Sequence, residues 1–324
     1  MKYLAIGDCH LDERNRLEDL KKILDQIVGI ADDREVDKIL FLGDLFTSRR
    51  PSALEYNVAY NWAVKLVNKK DGTKRQVVLM AGNHDEQKDA TTLDAFDILK
   101  VDGIKVVRSG HVEDKIFMGH FILQEAIMGT SDIHVEGTIT VEQLVTRYPG
   151  HLLYLFGDVH TPQQVSKNPP IYYIGSVMRN NFGEKNNEPR VLVFNDDLKI
   201  ESVPLNDRKM LQYSLQFQNG ILDSLQPIRK EIIEESIVKA VVSVEESEYY
   251  LVDEQKIRDM FFGAMSLLIH YDVKKIGPIR DTKVTEDTPD DGALEEYLIK
   301  KGLTGKELSD TMTEGRAIIL STSK

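Results

Sequence analysis

Four apolar runs of strand length each end in a glycine followed by side chains able to bind metal: Gly7-Asp8-Cys9-His10, Gly43-Asp44, Gly82-Asn83-His84-Asp85 and Gly157-Asp158-Val159-His160. The runs themselves, Tyr3 to Ile6, Ile39 to Leu42, Val77 to Met80 and Leu152 to Phe156, are almost continuously apolar. Such strands are buried on both faces, the signature of a largely parallel sheet. In open α/β sheets the carboxyl ends of the strands are where sites form, and that is where all four polar clusters fall.

Helical periodicity fills the spaces between the first runs. Leu17, Leu20, Ile23, Leu24 and Ile27 share one face of a helix, a second helix is predicted around Leu54 to Val67, and a third around Thr92 to Leu99. Further strands are expected over Ile104 to Val107, Ile116 to Phe121, Ile171 to Ile174, Val191 to Phe194 and Ile200 to Val203. The expectation is an α/β class protein, a layered β-sandwich flanked by helices, spanning residues 1–205.

From residue 206 the pattern changes. Leu211 to Phe217, Val238 to Val244 and Leu267 to Val273 read as strands, and Leu225 to Glu235 and Gln255 to Met265 as helices. Residues 206–278 are thus expected to form a smaller α+β domain. A polar, Asp- and Pro-bearing linker is read over 279–292, and a helical hairpin over 293–324, whose apolar residues are too few for it to be stable alone.

The net charge of −12 argues against a non-specific nucleic-acid coat. It leaves a nuclease open, because carboxylate ligands add negative charge and bound cations invert the local field. The single cysteine, Cys9, allows no intrachain disulfide. No leader pattern and no membrane-spanning apolar run is read, so a cytoplasmic setting without membrane is expected, host cytoplasm or nucleoid.

Phosphoester hydrolysis near neutral pH needs a nucleophile and charge neutralisation at the phosphoryl oxygens, and two divalent ions about 3.5–4 Å apart supply both. A bridging carboxylate usually holds such ions together, and Asp44 at its strand tip is the best candidate. Asp8 and His10 are spaced so that an extended chain turns both to one side, as are Asp158 and His160. A Gly-Asp after a strand serves as readily as a turn or helix cap, so each cluster alone is weak. The set of four in strand context carries the reading.

The ordered pattern resembles the calcineurin-like metallophosphoesterases and, within them, SbcD-type nuclease subunits, which act with an SbcC-type coiled-coil ATPase. Gly43-Asp44-Leu45-Phe46 with Arg50-Pro51, Gly82-Asn83-His84-Asp85, His120-Phe121, Ile127-Met128-Gly129, Tyr173-Ile174-Gly175-Ser176 and Phe182-Gly183-Glu184 carry the likeness, over about residues 1 to 200. The resemblance implies the metallophosphoesterase fold with an α+β capping domain. It implies one metal on Asp8, His10, Asp44 and His160, and another on Asp44, Asn83, His120 and Asp158. It makes His84 the catalytic group that protonates or stabilises the leaving oxygen, with Asp85 orienting it.

Two positions depart from the family pattern. Asp158 replaces the usual histidine, and a carboxylate there favours hard ions, Mn2+ first and Mg2+ second, over Zn2+. Thr47 stands where many relatives carry a histidine that helps to position the cleaved end. Arg49 and Arg50, just past Asp44, and Arg179 and Asn180, after Gly175-Ser176, are expected to contact DNA phosphates. The apolar residues of the tail imply a partner surface, which in the resembling subunits is the root of the ATPase coiled coil. The implied function is a metal-dependent DNA exonuclease or endonuclease subunit, a homodimer within a heterotetramer, acting in repair, recombination or replication. The alternatives are a phosphatase or cyclic-nucleotide phosphodiesterase, or a nuclease-like scaffold with an impaired second metal site.

Overall fold

The computed structural model describes residues 1–86, 96, 99–100, 103–127, 139–225, 227–274, 294–295, 297–299 and 301–322. In chain order the first elements are β1 (Lys2–Ile6), α1 (Leu17–Asp33), β2 (Lys38–Leu42), α2 (Ala53–Val67), β3 (Gln76–Met80), β4 (Ile104–Val107), β5 (His111–Glu113) and β6 (Ile116–His120). They continue with α3 (Val141–Arg147), β7 (Leu153–Gly157), β8 (Gln163–Lys167), β9 (Pro170–Tyr173), β10 (Arg190–Asn195) and β11 (Glu201–Pro204). Most of the expected third helix, and the expected linker over 279–292, lie outside the described residues.

These strands form two sheets. The first runs β11-β10-β1-β2-β3-β4, with β1 to β4 parallel, β10 antiparallel to β1 and β11 antiparallel to β10. The second runs β5-β6-β7-β9-β8, with β6, β7 and β9 parallel. Side chains alternate across each strand, so Leu40 and Leu42 of β2 meet Met118 and Leu155 of the second sheet in one core. Ile39 and Phe41 turn the other way, into a core with Leu20, Ile23, Leu24 and Ile27 of α1 and Trp62 and Leu66 of α2. Leu144 of α3 covers Phe117, Tyr154 and Phe156 on the outer face of the second sheet. This is the layered sandwich flanked by helices that the sequence predicts.

The later elements are β12 (Met210–Gln218), β13 (Ile221–Leu225), α4 (Lys230–Ile233), β14 (Ile237–Glu245), α5 (Glu254–Met260) and β15 (Ser266–Lys274), with a four-stranded sheet of order β13-β12-β14-β15. The expected helix over Leu225 to Glu235 is corrected: Leu225 closes a strand, and only one turn at Lys230–Ile233 is helical. Pro227 explains the break, since its ring removes a donor and its fixed geometry disfavours helix in the residue before it. The helix α5 also stops at Met260, short of the expected Met265.

Two compact units emerge from the contacts. One comprises Met1–Leu215, Leu225–Val241 and Asp253–His270, and the other Gln216–Ser224, Val242–Val252 and Tyr271–Lys324. In the second unit the tail forms a helix over Gly305–Thr322. Leu298 and Met312 are buried there, whereas Tyr297 and Ile299 are exposed.

Candidate metal centre

Five parallel strands deliver the site. β1 leads into Asp8 and His10, β2 into Asp44, and β3 into Asn83, His84 and Asp85; β6 ends in His120, and β7 leads into Asp158 and His160. Both sheets present their carboxyl ends here, so residues more than a hundred positions apart converge. His10, Asp44 and Asp158 are held at φ of 48°, 53° and 79°. Non-glycine residues in that left-handed region cost on the order of 1 kcal/mol or more each, and such strain gathers at functional sites.

Two groups of ligand atoms result. In each, the atoms lie within 4.8 Å of one another: Asp8, His10 and His160 in one, Asp8, Asp44 and His120 in the other. His10 Nε2 and His160 Nε2 are 2.8 Å apart. Asp44 faces both groups, with Oδ2 3.7 Å from His10 Nε2 and Oδ1 3.3 Å from His120 Nε2. The Asn83 side-chain amide lies 3.1 Å from His120 Nε2.

Hydrogen bonds outside these groups fix which ring nitrogen points inward. His120 Nδ1 donates to the Leu42 carbonyl at 2.7 Å, His160 Nδ1 to Glu184 Oε1 at 2.8 Å, and His84 Nδ1 to the Thr47 carbonyl at 2.9 Å. Each therefore keeps Nε2 for the site. The His84 ring sits edge-on to His10, with centroids 5.3 Å apart. Gly82 shows why a glycine precedes the ligands: a Cβ there would collide with Asp44 Oδ1 and His120 Nε2.

Asp85 differs from its expected role. Its buried carboxylate accepts the backbone N–H groups of Gly82, Phe46 and Leu45 at 2.9, 3.0 and 3.2 Å, and it is Thr47, through its carbonyl, that orients His84. Asp85 thereby clamps together the loops that follow β2 and β3, acting on backbone rather than on the imidazole. Thr47 is also tied to β1's loop, its hydroxyl donating to the His10 carbonyl at 2.9 Å.

The electrostatics are those of a cation site. Burial opposes charge on His120, yet its hydrogen bond to Asp44 and the charges of Asp8 and Asp44 outweigh this and raise it to about 10. Burial likewise opposes charge on His160, but Glu184 and Asp8 raise its pKa. Burial raises Asp85 to about 7, against the pull of its backbone donors. One oxygen of Asp8, Oδ2, is buried with no hydrogen-bond partner. A buried, unpaired carboxylate oxygen is costly. An orphaned oxygen among converging imidazole nitrogens and carboxylates is what a divalent cation would satisfy, so the residues fit metal.

Some expected residues stand apart. Asp158 belongs to neither group: its Oδ1 is 4.0 Å from His120 Nε2, while its backbone N–H donates to Asp8 Oδ1 at 2.9 Å. A carboxylate is shorter than the imidazole it replaces, which leaves it at the rim. Arg179 is corrected as a phosphate contact, because its guanidinium donates to Asp207 at 3.1 Å and its backbone to the same carboxylate at 2.9 Å. Asn180 is corrected too, since its side-chain nitrogen and oxygen are both shut off from solvent. Arg50 is exposed, and Arg49 donates to the Asn83 carbonyl at 2.8 Å, beside the centre. Glu184, the support of His160, carried no role in the sequence reading; it is remote in the chain from the ring it holds, and only Phe182-Gly183-Glu184 hinted at it.

Among the described residues no helix is long and apolar enough to cross a membrane. The family model for calcineurin-like phosphoesterases matches residues 1–194. The SbcD subunit of the SbcCD nuclease of Bacillus subtilis (strain 168) is 35% identical over 89 residues, a stretch that covers 26% of this chain and 22% of that protein. One crystal structure aligns with 63% of this chain and 99% of its own, at 12% identity and a TM-score of 0.42, too loose a likeness to bear on function. With the ligand-bearing strand ends and the match over residues 1–194 together, the chain belongs to the calcineurin-like phosphoesterase family.

Proposed function

We propose that this phosphoesterase is a DNA nuclease subunit that hydrolyses phosphodiesters at a two-metal centre. The observation that carries the reading is the pair of ligand groups that Asp44 faces with its two oxygens. Asp8, His10, His160 and Asp44 would hold one ion; Asp44, Asn83 and His120, with Asp8, would hold the other. When bound, two divalent ions supply charge neutralisation to the phosphoryl group and ease the ionisation of water. The carboxylate of Asp158 at the rim adds negative charge and favours Mn2+ or Mg2+.

His84 acts from the side. With Nδ1–H held on the Thr47 carbonyl, Nε2 is the atom that takes up a second proton and delivers it to the leaving oxygen. Arg50, exposed and following Arg49 in the chain, takes a backbone phosphate, and Arg49 steadies the loop of Asn83. The partial likeness to a nuclease subunit supports DNA as substrate and a coiled-coil ATPase as partner in DNA repair, recombination or replication. The exposed Tyr297 and Ile299 of the tail suit such a partner. A homodimer within a heterotetramer in the cytoplasm completes the reading.

Cleavage of end-labelled DNA with Mn2+ or Mg2+, with and without a candidate ATPase, tests it. Metal-dependent shortening of the label is expected, stimulated by the ATPase. Turnover of a small phosphoester such as p-nitrophenyl phosphate with DNA left intact would make the chain a phosphatase instead.

A further inference from the structure

Among the described residues, Glu184 is the acidic side chain that links the metal centre to the loop beyond β9. It is buried, 6% exposed, in the short 3-10 turn Phe182–Glu184. Oε1 accepts His160 Nδ1 at 2.8 Å and Asn181 Nδ2 at 2.9 Å, and Oε2 accepts the Asn180 backbone N–H at 2.9 Å and the Ser176 hydroxyl at 3.4 Å. The peptide of His160 is held from the same side, its carbonyl accepting Ser176 N at 3.3 Å and Asn187 Nδ2 at 3.0 Å. Ring and backbone are thus both fixed, and the remaining ring nitrogen faces His10 Nε2.

We infer that Glu184 is a positioning residue for the metal centre: it holds His160 in the Nδ1–H form with Nε2 aimed at the Asp8–His10 group, and so sets the affinity of that ion alone. The physical basis is that a buried carboxylate on the far nitrogen both orients an imidazole and strengthens it as a donor. His120 and His84 use neutral carbonyls in the same role, from Leu42 and Thr47. His160 alone of the three has an anionic partner, which makes it the stronger donor of the three. This inference rests on the two-metal reading above.

The test is calorimetric titration of chelator-stripped full-length protein with MnCl2, for the wild type and for Glu184→Gln, Glu184→Ala and Glu188→Gln. Two binding events are expected in the wild type. Glu184→Ala should weaken one of them about 10- to 100-fold and leave the other unchanged. Glu184→Gln, which retains an acceptor without the charge, should fall between, and Glu188→Gln, at an exposed carboxylate outside the site, should match the wild type. Nitrogen-15 spectra of the metal-free protein, taken at a pH high enough to leave the ring neutral, should show His160 as the Nδ1–H tautomer, keep that preference in Glu184→Gln, whose amide oxygen still accepts, and lose it in Glu184→Ala. Both affinities intact in folded Glu184→Gln and Glu184→Ala would overturn the inference; if the alanine variant fails to fold, the glutamine variant decides. No Mn2+ uptake by the wild type would instead overturn the two-metal reading itself.

Discussion

His84 and Asp44 carry separate burdens although they touch. The His84 backbone N–H donates to Asp44 Oδ1 at 3.0 Å, while its ring is fixed by Thr47. Truncating the ring leaves that backbone bond and every proposed ligand in place. His84→Ala should therefore keep its uptake of Mn2+, read by calorimetry, and lose about 10²- to 10⁴-fold in cleavage rate, the usual worth of a positioned acid. Loss of metal instead would show the ring to be a ligand. The Gly-Asp and Gly-Asn-His-Asp clusters made the ligands legible because the chemistry sits in short runs behind apolar strands. The supports were not legible for the opposite reason. Asp85 and Thr47 act through backbone groups that any sequence supplies, and the Glu184–His160 and Arg179–Asp207 pairs are made only by tertiary contact.

Among the elements, periodicity identified what is long and what is buried, and turn chemistry marked what it left out. The helix α3 opens with a capping box, Thr140 accepting from Gln143 N and Gln143 from Thr140 N, a spacing present in the sequence. The strand β13 follows β12 through Asn219-Gly220, whose φ values of 52° and 72° are those of a type I′ hairpin turn. That signal carries the chain as strand up to Leu225, the residue at which the sequence reading starts a helix. At Gly220 a side chain meets two penalties at once, the left-handed backbone and a Cβ 2.8 Å from the Leu251 Cβ. Gly220→Ala should lower the urea midpoint by the equivalent of about 1–2 kcal/mol without changing the slope. An unchanged midpoint would mean that the turn relaxes freely and does not fix the register of β12 with β13.

For the molecule as a whole, the sandwich is tied at the edge remote from the metal centre by charge. Lys38, at the start of β2, is buried and reaches Glu113 Oε1 at 2.7 Å and Asp114 Oδ2 at 2.6 Å across the sheets. Lys105 Nζ and His111 Nε2, each 3.0 Å from Glu113 Oε2, complete the cluster. Burial would raise the Glu113 pKa, but these donors overcome it and lower the carboxyl from 4.5 to about 2. A group whose folded pKa lies below its unfolded one stabilises the fold above the unfolded value and stops doing so as pH falls through the folded one. The contribution of Glu113 should thus be complete above about pH 4.5 and vanish towards pH 2. At a partly open site screened by solvent it is on the order of 1 kcal/mol. Thermal melts of metal-free wild type and Glu113→Gln isolate it, because the other carboxylates titrate alike in both. The wild type should melt higher at pH 7 and at pH 5, and the two curves should converge as the acid limit is approached, since a protonated glutamate and a glutamine then present the same neutral group to Lys38. A gap that stays constant across that range would mean the two sheets are held at this edge by packing alone.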